Sequence, residues 1–322
     1  MSRSFDVCFV CAALFLLLFD QTCQATPYLL VNGQSSQDVV RFDLDTGAAS
    51  LYATYKPNAD PRNLAMDADG NIYSSLLGGN LNVVKLVPQT GTHLLTTVDF
   101  TASIGGDGPG QIQFYNGELY VAGDESRVIH VYNGSTGQQI GTLGAAQSGN
   151  IRAMAITGNT MYYEEAFQNR VHETDLTQLP TTWTTLLDDP TNLQKAINMT
   201  IGPQGDLVFA NNNNTLIPMY NSAGTFLGNL ADVKTFDSTL TNAWDVTYYA
   251  PLNEYFVSGG NEVFELSATG ALLHTFSSPF LQGATGLLVV PEPSSIALLA
   301  IGALGLVAIV RRRWNASIAD RR

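Results

Sequence analysis

Residues 26–290 predict an all-β fold of repeated four-stranded units closed into a ring, and three observations carry that expectation. The first is a turn followed by a strand start, in Gly70-Asn71-Ile72-Tyr73, Gly117-Glu118-Leu119-Tyr120, Asn159-Thr160-Met161-Tyr162, Gly205-Asp206-Leu207-Val208 and Asn253-Glu254-Tyr255-Phe256. The third residues of these segments are 47, 42, 46 and 48 apart. Gly and Asn tolerate the positive φ of a tight turn, and the apolar or aromatic pair that follows opens a strand. The second is a marker running in step: Thr46-Gly47, Thr90-Gly91, Thr136-Gly137, Ala223-Gly224 and Thr269-Gly270, each after an alternating segment such as Val39-Val40-Arg41-Phe42-Asp43-Leu44. Its glycines lie 44, 46, 87 and 46 apart, and the interval of 87 spans two periods. The third is that no stretch sustains a 3.6-residue apolar period.

Four short strands every 40–50 residues are the pattern of propeller blades. Full units begin near Asn63, Gln111, Ile151, Ala196 and Ala243. A partial unit, Pro27 to Tyr55, lacks an inner strand, and Ala284 to Val290 can supply it. The expectation is a six-bladed β-propeller whose N- and C-terminal strands pair and bury an otherwise open sheet edge. A five-bladed ring with a loose N-terminal arm is the alternative. The unit Pro61-Arg62-Asn63-Leu64-Ala65-Met66-Asp67-Ala68-Asp69-Gly70-Asn71-Ile72-Tyr73 resembles the NHL and YVTN type of propeller repeat. That resemblance implies fold and not activity.

The ends predict export. Arg3, the apolar run Val7 to Phe19 and the small-residue site Cys23-Gln24-Ala25 read as a signal peptide over 1–25, with the mature chain starting at Thr26. All three cysteines, Cys8, Cys11 and Cys23, lie in that segment, so no disulfide supports the mature chain and its core must. At the other end Pro291-Glu292-Pro293 precedes an apolar run, 294–310, and then Arg311, Arg312 and Arg313. Seventeen helical residues reach about 26 Å, close to the ~30 Å hydrocarbon core, so 294–310 reads as a transmembrane helix with the arginines and the short tail 314–322 on the cytoplasmic side. This order of motif, short Leu/Ala/Gly helix and Arg cluster resembles the PEP-CTERM sorting signal of Gram-negative bacteria, over 291–313. The resemblance implies recognition by an exosortase, a transient membrane anchor, and association with exopolysaccharide and biofilm matrix. The usual signal ends near the arginines; the extension from Trp314 to Arg322 departs from it.

Between Thr26 and Val290 there are 24 acidic and 9 basic residues, a balance of −15 within a whole-chain charge of −13. Such a surface repels phosphate backbones and excludes nucleic acid as a partner; a divalent cation is compatible with it. Asp67-Ala68-Asp69-Gly70-Asn71 resembles the start of a calcium loop but lacks the further oxygen ligands, and it coincides with a repeat turn. His93, His130, His172 and His274 fall at unrelated places on third or outer strands, with no zinc spacing, and read as surface or strand-face residues. Asn211 to Asn214 reads as a polar loop.

A ligand site in such a ring belongs at the channel mouth, where the inner strands begin. The candidates are Arg62, Asn63, Asn150, Arg152, Asn242, Trp244 and Asp245, with Trp244 able to stack on a pyranose ring. No catalytic residue and no metal ligand is expected. The expected function is a non-catalytic binding or scaffold module for extracellular polysaccharide or a surface protein. The alternative is an exported metal-dependent hydrolase or lyase with its site in the channel.

Overall fold

The computed structural model describes residues 26–79, 81–89, 94–104, 108–144, 149–178 and 182–291. The signal peptide 1–25, Glu292, Pro293, the helix 294–310, Arg311 to Arg313 and the tail 314–322 lie outside the described residues, as does His93. Among the described residues no helix is long and apolar enough to cross a membrane.

The described residues open with β1 (Tyr28–Gly33), β2 (Asp38–Asp43) and β3 (Ala49–Thr54). Next come β4 (Pro61–Met66), β5 (Ile72–Leu76), β6 (Asn82–Pro88) and β7 (Leu95–Asp99). Then follow β8 (Pro109–Tyr115), β9 (Glu118–Gly123), β10 (Val128–Asn133) and β11 (Gln139–Gly144). After these run β12 (Ile151–Thr157), β13 (Thr160–Glu165), β14 (Arg170–Asp175) and β15 (Thr184–Asp188), and β16 (Ala196–Ile201), β17 (Leu207–Asn211), β18 (Leu216–Tyr220) and β19 (Phe226–Asp232). The last five are β20 (Asp245–Tyr249), β21 (Glu254–Gly259), β22 (Glu262–Ser267), β23 (Leu272–Ser277) and β24 (Ala284–Val290). A 3-10 turn, Val233–Thr235, interrupts the strands once.

The fold is an all-β, propeller-like ring. Four sheets are four-stranded antiparallel blades, β8–β11, β12–β15, β16–β19 and β20–β23. The expectation of six separate sheets is corrected by the fifth, which has eight strands in the order β24-β1-β2-β3-β7-β6-β5-β4. Its two four-stranded halves meet where the outer strands β3 and β7 run parallel at the single pair Ala53–Leu95. The ring closes as the sequence predicts: β1 pairs antiparallel with β24, from Tyr28–Val290 to Gly33–Ala284. The N-terminal segment is therefore no loose arm.

Burial follows position in the sheet. Second strands are packed on both faces, so they read as continuous apolar runs rather than alternations; Leu207, Val208, Phe209, Ala210 and Asn211 of β17 are all fully buried. In β13 successive residues face opposite neighbours. Met161 and Tyr163 pack with Tyr120 and Ala122 of the preceding blade, while Tyr162 packs with Leu207 and Phe209 of the next. Outer strands face solvent, as Leu272 and Leu273 of β23 do.

Polar residues fix the turns. Asp43, Asn133 and Asp175 each accept the backbone N–H and the hydroxyl of a nearby threonine: Thr46, Thr136 and Thr177. Asp67 accepts from the Asp69 and Asn71 N–H groups, the Asn71 amide and the Tyr73 hydroxyl. Its carboxylate is thus committed to the hairpin. The expected positive φ is present at Gly70, Gly117, Gly205 and Asn253; in the third unit Gly158 adopts it in place of Asn159.

Candidate functional site

The inner strands all start at one end of the ring, and most of them start irregularly. The pairing register shifts between Pro61 and Leu64 in β4, between Pro109 and Ile112 in β8, between Ile151 and Met154 in β12, and between Ala196 and Asn198 in β16. A bulge inserts an unpaired residue and re-aims its side chain. Of the residues inside these shifts, Arg62 and Asn63, Gly110 and Gln111, Arg152, and Ile197 line one pocket of about 270 Å³ at the channel mouth, while Ala153 turns into the core. Trp244, just before β20, and Thr285 of β24 complete the circle.

The mouth is cationic on an acidic chain. Arg62, Arg152 and Lys195 line it. Arg62 donates from Nη2 to Asp60 at 3.1 Å, and Asp60 is held by the Gln34 amide at 2.6 Å. Arg152 donates from Nε to Asp124 at 2.7 Å, and Asp124 also accepts the Asn150 amide at 2.9 Å. Lys195 has no ion pair among the described residues. Each cation rests on an aromatic face: Arg62 lies 5.3 Å from the Trp244 centroid, and Arg152 and Lys195 lie 5.3 and 5.0 Å from that of Phe167, an exposed side chain. Cation–π contact of this kind orders a long side chain without neutralising it. One indole face of Trp244 is thereby covered by Arg62.

Below the mouth, polar side chains staple inner strand to inner strand. Gln111 accepts the Met154 N–H at 2.8 Å and the Met199 N–H at 3.1 Å, and donates to the Met199 carbonyl at 2.8 Å, tying β8 to β12 and β16. Asn63 accepts the Ile112 N–H at 3.1 Å. Asp245 accepts the Leu287 N–H at 2.7 Å and Thr285 donates to the Pro61 carbonyl at 3.0 Å, so β24 is held on both sides. Burial pushes the fully enclosed Asp245 carboxyl well above its ordinary range. A second cavity of about 360 Å³, lined by Asp245 with apolar residues such as Ile156, Met199 and Leu287, continues along the axis.

Of the seven mouth candidates, the structure brings Arg62, Asn63, Arg152 and Trp244 together in the pocket. Asn150 supports Asp124 from behind. Asp245 lines the second cavity, and Asn242 lines neither. Among the residues outside that set are Asp124 and Phe167, from the loops after β9 and β13, and Lys195 and Asn198. Their signal was positional: each sits at the mouth-side end of a strand. Of the Asn run, Asn211 is buried and holds the Gln194 N–H and the Asn192 carbonyl, whereas Asn212 lines the pocket.

The histidines separate. His274 is exposed, while His130 and His172 are buried. His172 Nε2 lies 3.2 Å from Glu165, stacks on Tyr163 at 5.0 Å, and has Nδ1 3.3 Å from the Thr185 hydroxyl. Among the described residues no three His, Cys, Asp or Glu side chains converge to hold a metal ion.

Glu164 stands behind Arg152, fully buried with neither carboxylate oxygen in a well-formed hydrogen bond. Burial raises it well above the ordinary 4.5, against the pull of the Arg152 charge and the Ala196 backbone. The unfolded chain ionises this group first, so stability should fall as pH rises above about 4.5. Glu164→Gln is therefore expected to stabilise the protein by about 2 kcal/mol at pH 8 and little at pH 4. Paired urea melts at the two pH values measure this; a gain equal at both would sink the account.

Comparison with known proteins agrees at both levels. The PEP-CTERM protein-sorting motif matches residues 289–313, so the chain carries this motif at its C-terminus. The motif implies export to the cell envelope and processing by an exosortase. No curated protein matches the sequence. Among solved structures, a nidogen/laminin complex has a chain that is similar with a TM-score of 0.67 and 14% identity, over 83% of this chain and 100% of that one. A protein of unknown function from Bacteroides caccae gives 0.65 and 11%, over 83% and 100%. Virginiamycin B lyase from Staphylococcus aureus, solved with quinupristin, gives 0.51 and 13%, over 69% and 71%. At these identities the likeness is one of fold.

Proposed function

We propose that this is an exported, surface- or matrix-associated propeller acting as a non-catalytic binding module for exopolysaccharide or a surface protein. The observation that carries the reading is the mouth pocket, to which all six inner strands or their leading residues contribute. In support, the eight-stranded sheet alone brings two inner strands, β4 and β24, to that pocket. The chain reaches the outside through its signal peptide, is held briefly in the membrane by 294–310, and is released by an exosortase at Pro291-Glu292-Pro293. Asp60 and Asp124 offset two of the three mouth cations, and the charge of Lys195 left over repels a divalent cation, which favours binding over a metal-dependent hydrolase or lyase.

Glycan-array binding and pull-down from matrix material test the module. Specific retention of a ligand that is lost in Arg62→Ala supports it, and turnover of a small substrate with no retained ligand overturns it. The tail makes a separate prediction. Val289 and Val290 belong both to the sorting match and to β24. Cleavage should therefore fall after Val290, sparing the closing strand. Intact mass of the extracellular protein checks this; a recovered chain still bearing Arg311 to Arg313 contradicts it.

A further inference from the structure

The geometry points to a single carboxylate-bearing sugar residue, a uronic acid at the end or branch of a glycan, as the ligand of the mouth pocket. This inference rests on the binding-module reading and names its ligand class. Charge argues first. The pocket carries three of the nine basic residues found between Thr26 and Val290. Arg152 gives only Nε to Asp124, and among the described residues its two terminal nitrogens and the Lys195 ammonium have no hydrogen-bond or ion-pair partner. Cations held in place yet uncommitted are the donors a carboxylate needs.

A bare anion does not fit the rest of the pocket. Two lining residues keep polar atoms buried with no partner, and they are of opposite kind: Arg62 Nε is a donor and Asn198 Oδ1 an acceptor. An unmet buried polar atom is costly, and a ligand group that meets it gains that cost back. Sulfate or a simple carboxylate offers only acceptors and leaves Asn198 unmet. A sugar acid offers a hydroxyl to donate to Asn198, an oxygen to accept from Arg62, and a carboxylate for Arg152 and Lys195. A peptide C-terminus brings the carboxylate and an N–H donor but no ring of adjacent hydroxyls, so the dipeptide is the probe that separates it from a uronic acid. Size argues last. About 270 Å³ lies just below the ~300–1,000 Å³ of sites for drug-sized ligands, so one sugar ring is held and the polymer continues into solvent.

The test uses the full-length protein and ligand-observed NMR titration at low salt. The probes are the methyl glycosides of glucuronate and galacturonate, methyl glucoside, sodium sulfate, and an acetylated dipeptide with a free C-terminus. At least one uronide is expected to bind about tenfold or more tightly than the glucoside, its neutral counterpart at C6. Lys195→Gln should cost about tenfold with unchanged melting temperature, Arg152→Gln should weaken binding as well, and salt should weaken binding. Equal affinity for uronide and glucoside overturns the inference, as does sulfate or the dipeptide binding as well as the uronide. If no probe binds but the array or pull-down still retains a ligand, the uronic acid fails and the binding module stands. If neither probe nor matrix ligand binds, the module fails with it.

Discussion

A chain ending at Gln282 is expected to lose cooperative folding, while one ending at Val290 keeps it. Seven of the eight residues between these ends form β24, and three facts make them decisive. They cover the open edge of β1 with an antiparallel ladder. They bury Ala284, Leu287, Val289 and Val290, which lie on both faces of the sheet. They satisfy the Asp245 carboxyl through the Leu287 N–H and the Ser258 hydroxyl through the Thr285 carbonyl. Burial of the three large side chains alone is worth roughly 5–8 kcal/mol, and a domain's whole stability is about 5–15 kcal/mol. No disulfide is there to compensate, since all three cysteines precede residue 26. Loss of a sharp calorimetric transition, with rapid proteolysis, is the expected readout for the shorter chain. A cooperative melt within a few degrees of the longer one would mean that the ring does not depend on its closure.

That closure was legible from two leftovers: a first unit short of an inner strand and a last strand without a unit. The blades were legible because hairpin turns select Gly and Asn, and because second strands buried on both faces cannot hide their apolar character. The joined sheet was not, since its two halves touch at one residue pair, Ala53 and Leu95, that no local pattern marks. The site was half legible. Polarity at the start of an inner strand located Arg62, Asn63, Arg152 and Trp244. Polarity does not say where a side chain's hydrogen bonds go. Asp245 spends its carboxyl on the backbone of β24, and Gln111 spends its amide on two neighbouring strands, so both act as fasteners. Nor does it reveal bulges, which arise from strand register. Nor does the sequence show that one face of Trp244 is covered by Arg62, which lies over its ring.

Gly270→Ala should be far more damaging than Gly70→Ala, although both glycines have a φ of +83°. The backbone cost is shared: an L-residue held in the left-handed region loses about 1–2 kcal/mol. The surroundings differ. At Gly70 a methyl group would meet nothing within 4 Å. At Gly270 it would collide with the Leu230 carbonyl, a backbone atom of the preceding blade that cannot rotate away. Gly137 and Gly224 abut the Phe100 and Leu186 carbonyls in the same way. The periodic Thr-Gly or Ala-Gly marker is therefore a contact between blades as well as a turn. Separating two packed blades to admit a methyl costs on the order of 1–3 kcal/mol beyond the backbone term, as overpacking does elsewhere. In a domain of this size that excess corresponds to a melting temperature lower by about 2–4 °C per kcal/mol. Gly70→Ala supplies the control, and parallel thermal melts of the two variants decide the matter. Equal losses would assign the marker to turn geometry alone, whereas a further loss in Gly270→Ala, repeated in Gly137→Ala and Gly224→Ala, makes blade spacing the constraint that the repeat preserves.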